Sequence, residues 1–468
     1  MISSTRSKRV ISVFVLVMFN VSIMASLRTL PLISELGYKM FFFFIIVALL
    51  FLVPCALVSA ELATGWTESG GIYIWVREAL GNRYGFLAIW MQWVHNITWY
   101  PAILSFVAAT LAYIIDPKLV DNKAYIQASV LVIFWGMTLI NYFGIKTSNV
   151  ISSIGVIVGT LIPGIFIVSL GITWVVRGNP LQISFSAAHL IPDFSYLSNI
   201  ALIPGLFLSF AGLEVSTGYA GEVQNPQKNF PRAIMLATGI TFSLFMLGSF
   251  SIAIVIPKEQ ISLVAGLMEA LKIYLTNYGM SWALPLLAGC LVIGSLAEIN
   301  SWIIGPIKAL HTTSTHGNLP PFMQHLNRHG MPTHLLLFQA IVVMIVSFTI
   351  LYMPSTNAAY WVLTVISAQI YLIMYLLMFI SAIRLRYTHP NIIRAYHIPY
   401  PHKGIWWIAS IGALASLLAL FIGYIPPHQL NTRDIFIYES TLIISLVVMI
   451  AIPLIMYQFR KPAWLPQK

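Results

Sequence analysis

Twelve apolar runs, each long enough to cross a lipid bilayer, constrain this chain more than any other feature of its sequence. The runs cover residues 10–33, 38–62, 85–114, 124–143, 150–176, 196–221, 232–256, 278–311, 333–353, 358–384, 404–425 and 436–459. A helix rises 1.5 Å per residue, so each run can cross a hydrocarbon core about 30 Å thick. We number the runs span 1 to span 12. They predict an all-α membrane protein with twelve transmembrane helices, organised as a single domain over residues 1–468.

The composition of the chain excludes a water-soluble globular protein. Hydrophobic residues make up 59% of the 468 residues and charged residues only 8%, whereas soluble domains carry about 25% charged residues. The sequence contains no GxSxG, HExxH, paired CxxC or P-loop motif, so we expect no enzyme activity, no cofactor and no metal site. Cys55 and Cys290 both lie within apolar runs, and we therefore expect no disulfide framework.

The basic residues lie in short loops, and their distribution predicts the topology of the chain. The net charge of +11 is not concentrated in one segment, so we expect no nucleic-acid partner. If the N-terminus is cytoplasmic, seventeen Lys and Arg residues fall inside and seven outside, leaving only Arg28 well within a span. Because cytoplasmic loops carry an excess of Lys and Arg, this bias predicts that both termini are cytoplasmic.

Small residues and helix breakers cluster in the middle of spans 1 and 6. They are Ser22, Ala25, Ser26 and Pro31 in span 1, and Pro204, Gly205, Ser209, Ala211 and Gly212 in span 6. An unwound backbone is tolerated at membrane depth only where it lines a cavity or meets a ligand. Spans 1 and 6 correspond if residues 10–176 and 196–384 form two inverted five-helix repeats, followed by spans 11 and 12 at 404–459. Paired interruptions of this kind indicate a transporter site, although two kinks at packing contacts are the alternative.

Three ionisable residues lie at membrane depth. Arg28 is in span 1, Glu214 in span 6 and Glu298 in span 8. A charge near the bilayer centre costs at least about 2.5–3.5 kcal/mol, so such residues normally face the bundle interior with a partner. One interpretation is a fixed Arg–Glu pair that holds the bundle together. In the other, Arg28 receives a substrate carboxylate or pairs with an acid that binds protons or substrate.

Aromatic spacing adds two further candidate groups. Trp302 follows Glu298 by four residues, and Tyr375 follows Tyr371 by four, so each pair shares a helix face. His95 lies in a polar and aromatic cluster of span 3. These groups can also be packing residues, and a lone His is often only a hydrogen-bonded structural residue. As protonatable groups for coupling we order Glu214 first, then Glu298 and then His95.

Several segments resemble a known transporter family. The run Gly221–Ile234 (GEVQNPQKNFPRAI) resembles the signature of the amino acid–polyamine–organocation superfamily. The runs Ala297–Pro306 (AEINSWIIGP), Pro54–Thr64 (PCALVSAELAT) and Pro192–Phe194 (PDF) resemble the bacterial glutamate/γ-aminobutyrate antiporters, and the similarity extends over nearly the whole chain. A departure is Ser26–Leu30 (SLRTL), which places an arginine where those antiporters have a tyrosine- and glutamate-containing segment.

The resemblance implies a LeuT-type fold, with a 5+5 inverted repeat plus two C-terminal helices and with helices 1 and 6 broken. It also implies secondary active transport of amino acids or amino-acid-derived amines by alternating access across the bacterial cytoplasmic membrane. Glu298 and Trp302 match the family's Glu and Trp beside the translocation path, and Tyr371 and Tyr375 match its tyrosine pair.

We hypothesise that a substrate carboxylate lies near the break of helix 1 and that its amine meets carbonyls near the break of helix 6. The predicted substrate-binding residues are Ser26, Arg28, Ser209, Gly212, Glu214, Glu298, Trp302, Tyr371 and Tyr375. Coupling is expected to be substrate exchange or proton coupling. A polyamine or basic amino-acid exchanger is the alternative within transport, and a transporter-like sensor or channel is the alternative outside it.

Overall fold

A computed structural model of the chain describes residues 11–68, 70–144, 154–183, 185, 190–192, 200–217, 223–400, 402–426 and 435–465. Parts of spans 5 and 6 and of the segments Pro192–Phe194 and Gly221–Ile234 lie outside the described residues. So do several cations that we used to predict the topology, namely Arg6, Lys8, Arg9, Lys146, Arg433 and Lys468. Every regular element of the described chain is helical, apart from one β-bridge between Ile11 and Val223.

Eleven helical segments of the described chain are long and apolar enough to cross a membrane. They are Val13–Ser34, Gly37–Gly65, Asn82–Ile115, Lys123–Tyr142, Ile154–Val176, Pro226–Ala253, Ser281–Thr315, Thr333–Tyr352, Thr356–Thr388, Lys403–Ile422 and Ile435–Gln458. These segments correspond to all predicted spans except span 6. The all-α membrane architecture is therefore confirmed, whereas the count of twelve and the division into two repeats stay predictions.

Spans 1 and 6 are both interrupted, as the clusters of small residues predicted. In span 1 a helix ends at Met24, Ala25 is non-helical, a 3₁₀ turn covers Leu27–Thr29 and helix resumes at Leu30–Ser34. In span 6 the helix Ile203–Ser209 is short, and the backbone beyond it turns at Gly212 with φ +112°. A positive φ of this size is rarely adopted by residues that have a Cβ, so glycine permits this turn.

Two shorter helices lie between the spans. Ile72–Leu80 follows span 2 and buries one face, which fits the mixed apolar and charged composition of its segment. Gly266–Asn277 lies between spans 7 and 8, and the hydropathy pattern did not predict it because its apolar residues occupy only one face. Neither helix is long enough to cross a bilayer.

The interior of the bundle is built on spans 3, 8 and 10. Span 3 packs along span 10 and along span 8, and the first helix of span 1 packs against spans 7 and 8. Span 12 is mostly exposed and buries only Tyr438, Leu442 and Pro453. The two interrupted spans therefore lie beside the most enclosed helices of the molecule, while span 12 stays at its periphery.

Candidate functional site

Spans 1, 3, 6, 8 and 10 together surround the two helix breaks. Each predicted site residue that carries a polar or aromatic side chain is at most 5% exposed, namely Ser26, Arg28, His95, Ser209, Glu214, Glu298, Trp302, Tyr371 and Tyr375. The ionisable residues found at membrane depth in the sequence thus face the protein interior. We describe them from the break of span 6 outward.

Glu214 follows the break of span 6 and accepts hydrogen bonds on both carboxylate oxygens. Gln92 donates to Oε1 at 3.1 Å, Tyr371 donates to the same oxygen, and Tyr375 donates to Oε2 at 2.7 Å. These three donors satisfy acceptor sites on both carboxyl oxygens, as a buried carboxyl group requires. The Glu214 carboxylate is therefore occupied by side chains of spans 3 and 10.

Tyr375 also closes the break itself. The backbone N–H of Gly212 donates to the Tyr375 hydroxyl at 2.8 Å, so the hydroxyl hydrogen is left to donate to Glu214. Gly212 lies close to spans 1 and 8, since a Cβ at this position would lie 2.6 Å from Ile23 and 2.9 Å from Trp302. The turn in span 6 consequently depends on a glycine for both its φ angle and its space.

Trp302 contacts the broken backbone of span 1, as Tyr375 contacts that of span 6. Its indole N–H donates to the backbone carbonyl of Ile23 at 3.1 Å, which is in the last turn of the helix before the break. A helix end leaves carbonyls without intrahelical partners, and this hydrogen bond satisfies one of them. Spans 8 and 10 thus each direct one aromatic side chain onto a broken helix.

Arg28 lies in the 3₁₀ turn of span 1, between two aromatic rings. Its Nη1 donates to the Tyr360 hydroxyl at 2.8 Å, and its guanidinium carbon lies 5.3 Å from the Trp99 ring centroid and 5.5 Å from that of Tyr360. The Nε atom is buried and has no hydrogen-bond partner among the described residues. Sequence reasoning did not select Tyr360 or assign this contact to Trp99.

Glu298 lies opposite the same break. The hydroxyl of Ser26 donates to its Oε2 at 2.7 Å. Among the described residues, Ser26 is the one hydrogen-bond donor to this carboxyl group. In the part of the chain that the structure describes, Arg28, Glu214 and Glu298 take part in no ion pair. The structure therefore shows no contact ion pair between Arg28 and either glutamate, and the choice between a structural pair and a substrate-binding role stays open.

His95 is held between neighbouring side chains. Its ring stacks on Tyr371 at a centroid distance of 3.9 Å and meets Trp302 edge-on at 5.1 Å. Ser367 donates its hydroxyl hydrogen to the His95 carbonyl at 3.0 Å, which leaves its oxygen to accept from His95 Nδ1 at 3.1 Å. This assignment puts the ring proton on Nδ1 and leaves Nε2 buried without a partner among the described residues.

Ser209 differs from the other predicted residues. Its hydroxyl donates to the Gly205 carbonyl of its own helix at 2.8 Å, which is a local contact. The residues that sequence reasoning missed share a face with those it found, because Tyr360 precedes Tyr371 by about three helical turns. Gln92 likewise precedes His95 by three residues on span 3. That periodicity is the signal that could have identified them.

A second polar cluster lies where spans 2, 8 and 10 end. Arg386 pairs with Glu61 at 2.5 Å between Nε and Oε1, and both side chains are buried. Beyond span 8, His316 Nε2 lies 3.4 Å from Arg77 Nη1. Burial, and then the positive charge of Arg77, lower the pKa of His316. No group of three or more His, Cys, Asp or Glu suited to a metal occurs in the described chain.

The fold and the site together define a class of protein. The bundle has many helices of spanning length, predicted spans 1 and 6 are interrupted at the same enclosed region, and ionisable side chains face that region without contact ion pairs among the described residues. Interrupted helices at membrane depth, with helix ends and charges directed to one place, are typical of secondary transporters.

The chain belongs to the amino acid permease family, because the sequence model of that family, described as "Amino acid permease", matches residues 10–452. An uncharacterized transporter of Legionella pneumophila is 41% identical over 447 residues, which cover 96% of each chain. A glutamate/gamma-aminobutyrate antiporter of Lactococcus lactis is 31% identical over 97% of this chain and 91% of its own. The protein is therefore a multi-pass membrane transporter of amino acids or amines.

A more distant relative is named as an antiporter of amines. A probable agmatine/putrescine antiporter of Lactococcus lactis is 23% identical and covers 78% of this chain and 77% of its own. The resemblance inferred from the sequence motifs is thus confirmed at the level of the family.

Proposed function

We propose that the protein exchanges amino acids or amino-acid-derived amines across the bacterial cytoplasmic membrane by alternating access. The substrate binds between the breaks of spans 1 and 6, and both termini are cytoplasmic. The two inverted five-helix repeats predicted from the sequence supply the symmetry for that movement, and spans 11 and 12 lie outside them. The antiporters among the similar proteins support exchange as the transport mode.

The observation that carries this proposal is the pair of buried charges that no ion pair satisfies. Arg28 and Glu298 face the break of span 1 and are 2% and 5% exposed, yet neither forms a contact ion pair with the other or with another described residue. Charges buried at membrane depth need counter-charges. A substrate that carries a carboxylate, an ammonium group or both supplies them.

Glu298 is the group that we propose for coupling. Glu214 is occupied by three donors, whereas Glu298 has the single donor Ser26, so Glu298 keeps room for a proton or an ammonium group. This reverses the order expected from the sequence, in which Glu214 came first, and leaves His95 third. Because one carboxyl oxygen does not hold a proton and an ammonium group at once, the arrangement favours exchange over proton symport.

The proposal is tested with the purified protein in proteoliposomes. Liposomes loaded with one of twenty amino acids or common amines are offered the same radiolabelled compound outside, at equal pH on both sides. We expect saturable counterflow for at least one compound, and little uptake into empty liposomes. A non-saturating flux would instead indicate a channel, and full uptake into empty liposomes driven by an inward proton gradient would indicate symport.

Variants connect the activity to the site. We expect Glu298→Gln and Arg28→Ala to lower counterflow at least tenfold, because each leaves one charged group of the substrate without its partner in the protein. Tyr438→Phe is the matched control, since its hydroxyl donates to the Gly423 carbonyl at the end of span 11 and to no residue of the site. Full activity of both site variants would show that the assigned site is wrong.

A polyamine or basic amino-acid substrate is the second candidate. It is favoured by the two carboxyl groups at the breaks, Glu214 and Glu298, and by the similarity to a probable agmatine/putrescine antiporter. Counterflow with agmatine or putrescine that exceeds counterflow with every amino acid would favour this candidate over the first.

A further inference from the structure

Tyr360 and Trp99 hold the Arg28 side chain in place. The Tyr360 oxygen accepts from Arg28 Nη1 at 2.8 Å, and the Tyr360 hydroxyl donates its hydrogen to the Arg28 backbone carbonyl at 3.3 Å. Both hydrogen-bonding roles of the phenol are therefore taken by one residue. The Trp99 ring centroid, in span 3, lies 5.3 Å from the guanidinium carbon, and Tyr360 lies in span 10. Spans 3 and 10 therefore both hold the guanidinium.

The guanidinium keeps donors that the protein does not use. An arginine side chain carries five N–H donors in a planar fork. Among the described residues, the acceptor assigned to this fork is the neutral Tyr360 hydroxyl, and Nε is buried without an acceptor. A phenol does not neutralise the guanidinium charge. The acceptor that matches the remaining donors in charge and geometry is a carboxylate.

An acidic group lies on the other side of the same turn. Ser26, two residues before Arg28, donates to Glu298 at 2.7 Å, so the carboxyl group and the guanidinium are both attached to the break of span 1. Glu214 does not compete for this role, because side chains of spans 3 and 10 already donate to both of its oxygens. The Arg28 guanidinium and the Glu298 carboxyl group, neither of which forms a contact ion pair among the described residues, therefore face the same break.

We infer that Arg28, positioned by Tyr360 and Trp99, is a carboxylate receptor, and that the substrate class is amino acids that retain a carboxylate as well as an amine. This inference rests on the proposed function and narrows it. Arg28 binds the carboxylate and Glu298 binds the ammonium group. Amines without a carboxylate, such as diamines and amino-acid esters, leave Arg28 buried without an anion and are poor substrates.

The experiment measures competition in the counterflow assay with the whole protein. The radiolabelled substrate is the amino acid that gives the strongest counterflow in the screen. The unlabelled competitors are the same amino acid, its methyl ester and its decarboxylated amine. A fourth competitor, γ-aminobutyrate, carries a carboxylate whose amine is farther away. We expect the ester and the carboxylate-free amine to compete roughly 10- to 100-fold more weakly than the amino acid, the range for losing one charge-assisted hydrogen bond. Equal competition by the ester would overturn the inference.

Variants test the positioning roles. Arg28→Gln should bring the ester and the amino acid to nearly equal inhibition constants. Tyr360→Phe keeps the ring and removes the hydroxyl, so it should raise KM for the amino acid several-fold, leave Vmax nearly unchanged and shrink the ester discrimination. Tyr438→Phe should change none of these values. Unchanged discrimination in both Arg28→Gln and Tyr360→Phe would refute the assignment.

The failure of this inference can be separated from the failure of the proposed function. If the wild-type protein shows counterflow but accepts esters and diamines as well as amino acids, only the carboxylate receptor is wrong. If no amino acid or amine shows counterflow, both are wrong. Because the wild-type competition panel needs no variant, the result does not depend on whether Arg28→Gln folds.

Discussion

Replacing Tyr375 by phenylalanine should destabilise the protein more than the loss of an ordinary buried hydroxyl. The Tyr375 hydroxyl accepts from Gly212 N–H at 2.8 Å and donates to Glu214 Oε2 at 2.7 Å, so one group serves both the turn and the carboxylate of span 6. Phenylalanine keeps the ring and its edge contact with Phe51 at 5.0 Å. The change therefore removes two hydrogen bonds with little change in packing.

The expected magnitude follows from those two hydrogen bonds. A buried N–H left without an acceptor costs about 1–3 kcal/mol, and a hydrogen bond to a charged group contributes about 1.5–3 kcal/mol. Glu214 keeps Gln92 and Tyr371 as donors, so the second term is partly offset. We expect Tyr375→Phe to destabilise the protein by about 2–4 kcal/mol.

Thermal unfolding in one detergent measures this effect against a matched control. Tyr438→Phe also removes a buried hydroxyl, but that hydroxyl donates only to the Gly423 carbonyl at 2.9 Å, so the loss should be about 1 kcal/mol. Tyr375→Phe should therefore melt at a clearly lower temperature than Tyr438→Phe. A double-mutant cycle with Glu214→Gln should show a coupling of about 1 kcal/mol or more, as residues in one network do.

Two results would refute the reasoning. If Tyr375→Phe and Tyr438→Phe lose the same stability, the contact with Gly212 contributes nothing beyond a single hydroxyl. If the effects of Tyr375→Phe and Glu214→Gln are additive, the two residues do not act as one network.

The remaining predictions concern the polar cluster where spans 2, 8 and 10 end. Glu61→Gln should destabilise the protein by about 3–5 kcal/mol in thermal unfolding, because it removes the buried carboxylate that pairs with Arg386. Glu78→Gln in the more exposed pair with Arg77 should change stability by about 1 kcal/mol or less. The folded-state pKa of His316 is lowered, so its contribution to stability is present above the unfolded value of about 6.5 and is lost as pH falls. His316→Gln should therefore flatten the decline in melting temperature between about pH 7 and pH 5, and an unchanged decline would contradict this assignment.

The fold was largely predictable because it depends on a local property of the sequence. An apolar run of spanning length is visible without knowledge of the partners, and eleven of the predicted spans occur as helices. The breaks were predictable for the same reason, since Gly212 and Ser26 are small residues in otherwise apolar runs. The helix Gly266–Asn277 was not predicted, because it buries one face only and depends on the spans against which it packs.

The site was predictable in its members but not in their contacts. The four-residue spacing predicted that Glu298 and Trp302 lie on one helix face. It did not predict that Glu298 accepts a hydrogen bond from Ser26 or that Trp302 donates one to the Ile23 carbonyl. Such contacts join residues about 270 or more positions apart, and the packing of whole helices sets them. Tyr360 shares a helix face with Tyr371, but that spacing does not reveal its contact with Arg28, which lies 332 positions away in the sequence.

The two aromatic contacts on the breaks suggest why the unwound segments coexist with a tightly packed interior. Trp302 satisfies a carbonyl at the broken end of span 1, and Tyr375 satisfies the N–H of Gly212 in span 6. Because a Cβ on Gly212 would lie only 2.9 Å from Trp302, the side chain that closes the first break also packs against the second. A movement that opens one break must therefore displace the aromatic residue against which the other is packed. This shared contact is a physical route by which the two broken helices would move together in the proposed exchange.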